Sequence, residues 1–460
     1  MTEPTAPATA ATASAAAKPR RRTAREVLTA LGQPKVAVML ALGFASGLPF
    51  LLIGNTLNYW LGDSHVDLAV IGFASWIGLT YSFKFIWGAV VDNVPPPLPG
   101  MGRRRGWMLV AQIVVAAGLF GMAACDPKSQ LAVLVAFGVA TAFAAATQDV
   151  VIDAWRIESS ADTAELDLMT SAYSLGYRVS NILSGSVILF MATGLGWAAS
   201  YACFAAAMIV GVVATVLAKE PVKTATAAST RARLDPMRLV DAVVGPFIAF
   251  FRTFGPVALL ILLMVTTYHL CDYLRGPVIN PFYVQVGLAK PLVATIRLSI
   301  GLPASMLGIA AGGLFAARFG HIPTLIVGAL IQPLAVAAFA VLAWTGPDPV
   351  VFGTIMALDD FCMSFAGLAL VAYISTLTSL GYTATQYALL TSALAWTGKT
   401  LKGFSGAWVK GLAAQGGDLA HAYATYFLIA AVSAGIPALL LVLALGYVNR
   451  RRQVSTALAS

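Results

Sequence analysis

Gly88-Ala-Val-Val-Asp92, a proline-rich bend and Gly102-Arg103-Arg104-Arg105 stand between two long apolar runs of this chain. A weaker copy, Gly313-Leu-Phe-Ala-Ala-Arg318-Phe-Gly320, recurs in the second half. The pattern sets small residues, an acid and a cation cluster in a short hairpin at a membrane surface. There they can latch two helices together in one conformation and release them in another. One such hairpin per half is the pattern of a transporter built from two repeats.

Composition agrees. Of 460 residues, 59% are hydrophobic and 11% charged, whereas charged residues make up about a quarter of a soluble protein. The hydrocarbon core is roughly 30 Å thick, so each helix needs about 20 apolar residues to cross it. About twelve segments between residues 36 and 448 meet that length. The expected fold is an all-α polytopic membrane protein with two six-helix halves, 36–218 and 256–448. Residues 219–255 read as a polar linker ending in an interfacial helix from Asp241 to Phe254, 1–35 as a disordered basic arm, and 449–460 as a tail.

Lys and Arg collect in alternate loops. Lys18, Arg20 to Arg22, Arg25, Lys35, Arg103 to Arg105, the linker cations, Arg318 and Arg450 to Arg452 share one side. Lys128, Lys290 and Lys410 fall on the other. The positive-inside rule therefore predicts that both termini are cytoplasmic. It also absorbs the net charge of +9 as a topology signal, which removes the reason for a nucleic-acid partner. The four cysteines show no metal-ligand spacing, and neither a cofactor motif nor a Ser-His-Asp order is present, so no cofactor, metal or catalytic residue is expected.

Function is carried by charges inside the spans, since a charge near the bilayer centre costs at least about 2.5–3.5 kcal/mol without a partner or a wet cavity. Lys84 lies in span 2, Gln148, Asp149, Asp153 and Arg156 in span 4, and Arg178 in span 5. His269, Asp272 and Arg275 lie in span 7, Arg297 in span 8, Asp359 and Asp360 in span 10, and Lys399 and Lys402 in span 11. His269, Asp272 and Arg275 recur every three residues, which places them along one helix face. A carboxylate between an imidazole and a cation can gain and lose a proton, although a purely structural Asp272–Arg275 pair fits the spacing too. Asp149 and Asp153 can likewise form a clamp with Lys84 or Arg156. Asp359 and Asp360 point about 100° apart, so at most one easily faces a central cavity. Proton coupling is accordingly sought at Asp272, His269, Asp149, Asp359 and Asp360, and gating at Gly88, Asp92, Arg103, Arg104, Arg105 and Asp153. Cargo contact is sought at the cations Arg178, Arg275, Arg297 and Lys399 and the rings of Tyr173 and Tyr177. Gly43-Phe-Ala-Ser-Gly47-Leu-Pro49 and Gly301-Leu-Pro303 mark sites of close approach or bending.

Several strings resemble the AmpG-type muropeptide permeases of the major facilitator superfamily, in the branch that also holds acetyl-CoA transporters. They are Leu42-Gly-Phe-Ala-Ser-Gly47-Leu-Pro49, Phe83-Lys84-Phe-Ile-Trp87 leading to Asp92, and Gly102-Arg-Arg-Arg-Gly-Trp107. Thr147-Gln148-Asp149-Val-Val-Ile-Asp153-Ala-Trp155 and Thr385-Gln386-Tyr387-Ala-Leu-Leu complete the set. The resemblance implies proton-coupled uptake of N-acetylglucosaminyl-anhydro-N-acetylmuramyl peptides across a bacterial inner membrane for cell-wall recycling; a monomer is expected. The resemblance also implies that Lys84, Gln148 and Asp149 stand at the family's polar positions in the first half and Asp272 at its acidic position in span 7, and cargo contact is sought at Lys84 and Gln148 as well. Asp359-Asp360 stands where an acid followed by an amide is expected, and Lys399 and Lys402 replace a less basic pattern. These departures leave open another anionic cargo, such as a siderophore, a peptide or an acyl-CoA, and a receptor that binds without transport.

Overall fold

A computed structural model describes residues 33–83, 96, 98, 100–160, 163–221, 248, 251–252, 254–378, 396–416 and 418–459. Ten helices in it are long and apolar enough to cross a bilayer, and two shorter pieces complete the series. In chain order they are α1 (Pro34–Asp63), α2 (Leu68–Tyr81), α3 (Arg103–Ala124), α4 (Leu131–Ser159), α5 (Leu168–Gly194) and α6 (Gly196–Leu217). The second half has α7 (Val257–Val286), α8 (Lys290–Ala316), α9 (His321–Thr345), α10 (Pro349–Ile374), α11 (Ser405–Gly416, preceded by helix from 396) and α12 (Leu419–Arg451). Lys84, Gly88, Asp92, the Gln386 string and most of the expected interfacial helix lie outside the described residues. Helix continues from α12 through the tail to Ala459.

Each half closes through backbone-to-backbone contact. On α1, a Cβ at Gly43 would strike the carbonyl of Tyr173, and one at Gly47 the hydroxyl of Ser180, both on α5. Gly176 of α5 returns the contact against Leu40. In the second half Gly308 of α8 meets the backbone of Phe361 on α10 in the same way. Lipid cannot drive helices together by the hydrophobic effect, so small residues that allow this close approach supply dispersion contact in its place. The outer faces carry large apolar side chains such as Leu217, Leu307, Leu314, Val350 and Leu440, all well exposed.

Pro34 opens α1 at its first turn, where its missing amide costs nothing. Pro49 then weakens the interior, and the helix breaks at Ile53 and Gly54 before resuming at Asn55. Tyr201 donates to the Leu52 carbonyl at this break, 2.8 Å away. α7 breaks at His269, which joins helices Val257–Tyr268 and Leu270–Val286.

The arginine cluster works inside one half. Arg104 is buried and its Nε lies 3.1 Å from Glu158 at the end of α4. The amides of Arg104 and Arg105 donate to the Glu220 carboxylate at 2.8 and 3.1 Å, which caps the start of α3. The Arg105 guanidinium holds the carbonyls of Thr215 and Val216 at the end of α6. Gly102 is at φ 82° with the Glu220 carboxylate where a Cβ would stand, so only glycine fits there.

Gly43→Ala should lower stability by roughly 1–3 kcal/mol, because the α1–α5 backbones must separate. Gly367→Ala, at a helical position with open space, should be neutral or slightly stabilising. Thermal unfolding of both variants in detergent checks the contrast. Equal loss in the two would mean that close packing at Gly43 does not hold α1 to α5.

Candidate functional site

The second half concentrates charge around one guanidinium. Arg275 lies one turn after Asp272 on α7 and donates to it at 2.9 Å, while its other terminal nitrogen donates to Asp359 on α10. The Arg275 and Asp359 side chains are 14% and 4% exposed, but Asp272 is 43% exposed. The guanidinium also stands 5.8 Å from the Phe339 ring on α9. Asp360 turns the other way, toward Gly301 in the π-helical turn Arg297–Gly301 of α8. The two adjacent acids therefore diverge between α7 and α8, as their helical spacing requires. Among the described residues His269 makes no hydrogen bond to the Asp272–Arg275 pair, although the Asp272 charge acts on it. It forms the joint of α7 and sets its ring edge-on to Tyr268 at 5.8 Å.

A polar cluster lies in the first half. Ser46 of α1 donates to Asp149 of α4 and lies 2.7 Å from the Tyr173 hydroxyl of α5. Tyr177 follows Tyr173 at 6.2 Å between ring centres. Asp153 pairs with Arg156 at 2.8 Å, and Arg156 covers the Tyr173 ring at 5.4 Å. Gln148 is fully buried, and neither side-chain atom finds a partner among the described residues. An orphaned buried amide marks a place where a ligand or water is needed. Arg178 stands apart on the exposed side of α5, beside Leu175 and Val179.

Between these clusters the halves meet, and the described contacts gather toward the end bearing the short loops. Lys290 of α8 donates to Asp63 of α1 at 2.6 Å, and Trp197 donates to the same carboxylate at 2.6 Å. Lys410 of α11 donates to Asp67, which caps α2. Asn280 of α7 donates to the Asn55 carbonyl at 2.6 Å. Arg297 of α8 joins Asn280 to the Gly185 carbonyl of α5, at 2.5 and 3.1 Å. Trp76 of α2 donates to the Thr400 carbonyl before α11 at 2.9 Å. A cavity of about 450 Å³ opens between the halves here, lined by Gly62, His65, Asp67, Pro281, Lys410 and Tyr423.

The helices that meet are irregular where they touch. α2 passes into the 3-10 segment Ser75–Phe83 and α11 follows the 3-10 turn Lys402–Phe404. α5 contains the π-helical turn Leu183–Val187, opposite that of α8. Carbonyls freed from regular α pairing can accept from the other half, as that of Gly185 does.

Sequence reasoning found the Asp272–Arg275 pair and the Asp153–Arg156 pair. It missed Asp63, Asp67, Asn55, Asn280 and Trp76, and it read Lys290 and Lys410 as topology marks alone. A usable signal was present: two of three cations on the sparsely charged side, facing a short loop bounded by two acids. Among the described residues no three His, Cys, Asp or Glu side chains come together as a metal cage.

Residues 36–407 match the model of the Major Facilitator Superfamily. The chain is 34% identical over 413 residues to the anhydromuropeptide permease of Escherichia coli K12, covering 89% of this chain and 79% of that protein. It is 30% identical over 421 residues to the putative transporter AmpG 4 of Rickettsia felis, covering 90% and 96%. Its fold resembles that of the nucleoside transporter NupG, with a TM-score of 0.62 at 17% identity over 88% of this chain and 98% of that one. A peptide transporter POT solved with sulfate gives 0.64 at 12% identity over 90% and 95%.

Lys410 holds the Asp67 carboxyl below its usual range. A depressed carboxyl contributes to closure above its ordinary titration range and loses that contribution as pH falls through the lowered value. Contact between the short-loop ends should therefore show no dependence on this pair from pH 5 to 8, and should weaken only below about pH 4. Lys410→Glu should shift closure by at most about fivefold, because the pair is exposed, and adding Asp67→Lys should restore it. Spin-label distances between Ser129→Cys and Gln415→Cys, in a chain without its native cysteines, read both effects. A midpoint near pH 6 that survives Asp67→Asn would assign the titration elsewhere.

Proposed function

The chain belongs to the major facilitator superfamily, and we propose that within it this protein imports anhydromuropeptides from periplasm to cytoplasm, driven by protons. The observation that carries the reading is the 34% identity across 89% of the chain to an anhydromuropeptide permease. The charge pattern supports it physically. Lys and Arg on the side of the termini orient the protein with that side in the cytoplasm of a bacterial inner membrane. The described contacts between the halves then lie on the periplasmic side.

Anionic cargo needs compensation on the way in. Moving one negative charge against an inside-negative potential costs about 2.3 kcal/mol per 100 mV. Asp272 and Asp359 both pair with Arg275, so two carboxyl groups share one guanidinium, with Asp360 turned toward α8 beside them. A proton taken by one of them relieves the excess negative charge, and Asp272, the most exposed side of the Arg275 pair, is the carboxyl we assign to that role. Its uptake and release alter the pairing of Arg275, the same guanidinium that bridges α7 to Asp359 on α10, and so link protonation to helix position. In the first half Gln148, Tyr173 and Tyr177 offer hydrogen bonds and ring faces to the sugars, next to Asp149. Arg103 to Arg105 fix α3 to α4 and α6, so that this half moves as one body when the seam opens.

Proteoliposomes with a pH gradient, acid outside, should accumulate labelled anhydromuropeptide and lose it when the gradient is collapsed. Asp272→Asn should abolish accumulation while counterflow exchange persists, because the amide imitates the protonated acid. Normal accumulation by that variant would take Asp272 out of the coupling, and no uptake by the parent chain would overturn the cargo.

A further inference from the structure

α11 presents two amines to α2, and only the outer one meets a carboxylate. Lys410, near the short-loop end, pairs with Asp67. Lys402 lies about two turns deeper, where the 3-10 turn Lys402–Phe404 directs it across the seam. Its ammonium stands 3.6 Å from the point a Cβ would occupy on Gly78 of α2. The charged groups near it are Lys399 and Asp272. Asp272 is engaged by Arg275, and among the described residues no carboxylate comes within ion-pair distance of Lys402. The seam between α5 and α8 repeats the arrangement. Outer Lys290 is answered by Asp63, and inner Arg297 donates to the oxygens of Gly185 and Asn280 and stacks over Tyr283, with no carboxylate within ion-pair distance among the described residues.

A half-buried cation at membrane depth with no counter-charge is costly and calls for an anion from elsewhere. Arg275 cannot serve an incoming carboxylate in this arrangement, since both of its terminal nitrogens are occupied by Asp272 and Asp359. We propose that Lys402 is a specificity-determining residue that binds a carboxylate of the cargo peptide when the halves part, with Arg297 as its counterpart on the opposite seam. This assignment rests on the anionic glycopeptide reading above. It gives each inner cation two successive duties, one against backbone of the first half when the seam is shut and one against cargo when it is open.

The test compares uptake of an anhydromuropeptide with free peptide carboxylates and of its fully amidated analogue, by the full chain in proteoliposomes. The parent should prefer the free acid. Lys402→Met should raise KM for the free acid by roughly 10- to 100-fold, the worth of one hydrogen bond to a charged group, while kcat and the KM of the amidated analogue stay near parental values. Lys402→Gln should collapse the preference in the same way and guards against misfolding of the apolar variant. Lys402→Arg should keep most of the preference, since the charge and a donor survive. If the parent accumulates the free acid and both neutral variants retain its preference, the Lys402 assignment falls and the transport reading stands. If the parent accumulates neither compound, the cargo is wrong and the assignment falls with it.

Discussion

A guanidinium inside a membrane protein has to be answered, and the placement of Arg275 organises the second half. Asp272 supplies one partner from the same helix and Asp359 supplies the other from α10. Removing Asp359 leaves a buried charge short of compensation, which is far more damaging than replacing the pair by apolar residues, whereas Asp272 is half exposed and water can stand in for part of its contact. The bridge therefore fixes the register of α7 against α10. It also explains why α7 can tolerate a break at His269: the helix resumes within one turn of a charge contact that re-anchors it. Asp360, one residue on, is released from that bridge and turned toward α8.

What was legible in the sequence follows from what a bilayer makes local. Span number, the two halves and the buried charges can be read because each depends on a run of neighbouring residues. The Asp272–Arg275 and Asp153–Arg156 pairs are also local, one turn apart on their helices. The contacts that join the halves are not. Lys290 and Asp63, or Lys410 and Asp67, belong to different repeats, and no periodicity links them. The same holds for Glu158 and Glu220 on Arg103 to Arg105: the cluster was visible as a surface hairpin, but its partners sit at the distant ends of α4 and α6. The backbone joint of α7 at His269 is not legible either, since spacing alone carries no warning of it.

Irregular backbone and cross-seam polar contacts coincide. A regular α-helix pairs its own amides with its carbonyls, so irregular turns free more carbonyl capacity for a neighbour. The 3-10 and π segments of α2, α5, α8 and α11 lie where the two halves touch, and Gly185 and Thr400 lend their carbonyls across. Because these bonds use backbone on the receiving side, they constrain side-chain identity only on the donor, Arg297 or Trp76. Side chains around them are free to serve the cargo.

The two outer ion pairs have the same polarity: the second half brings both lysines and the first half both aspartates. A duplicated fold faces a hazard of mispairing, because each half resembles the other well enough to compete for its place. Here two first halves meeting at this surface would oppose acid to acid, and two second halves amine to amine. Only the unlike combination is neutral. The charges at the seam thus favour the unlike pairing of halves over either like pairing.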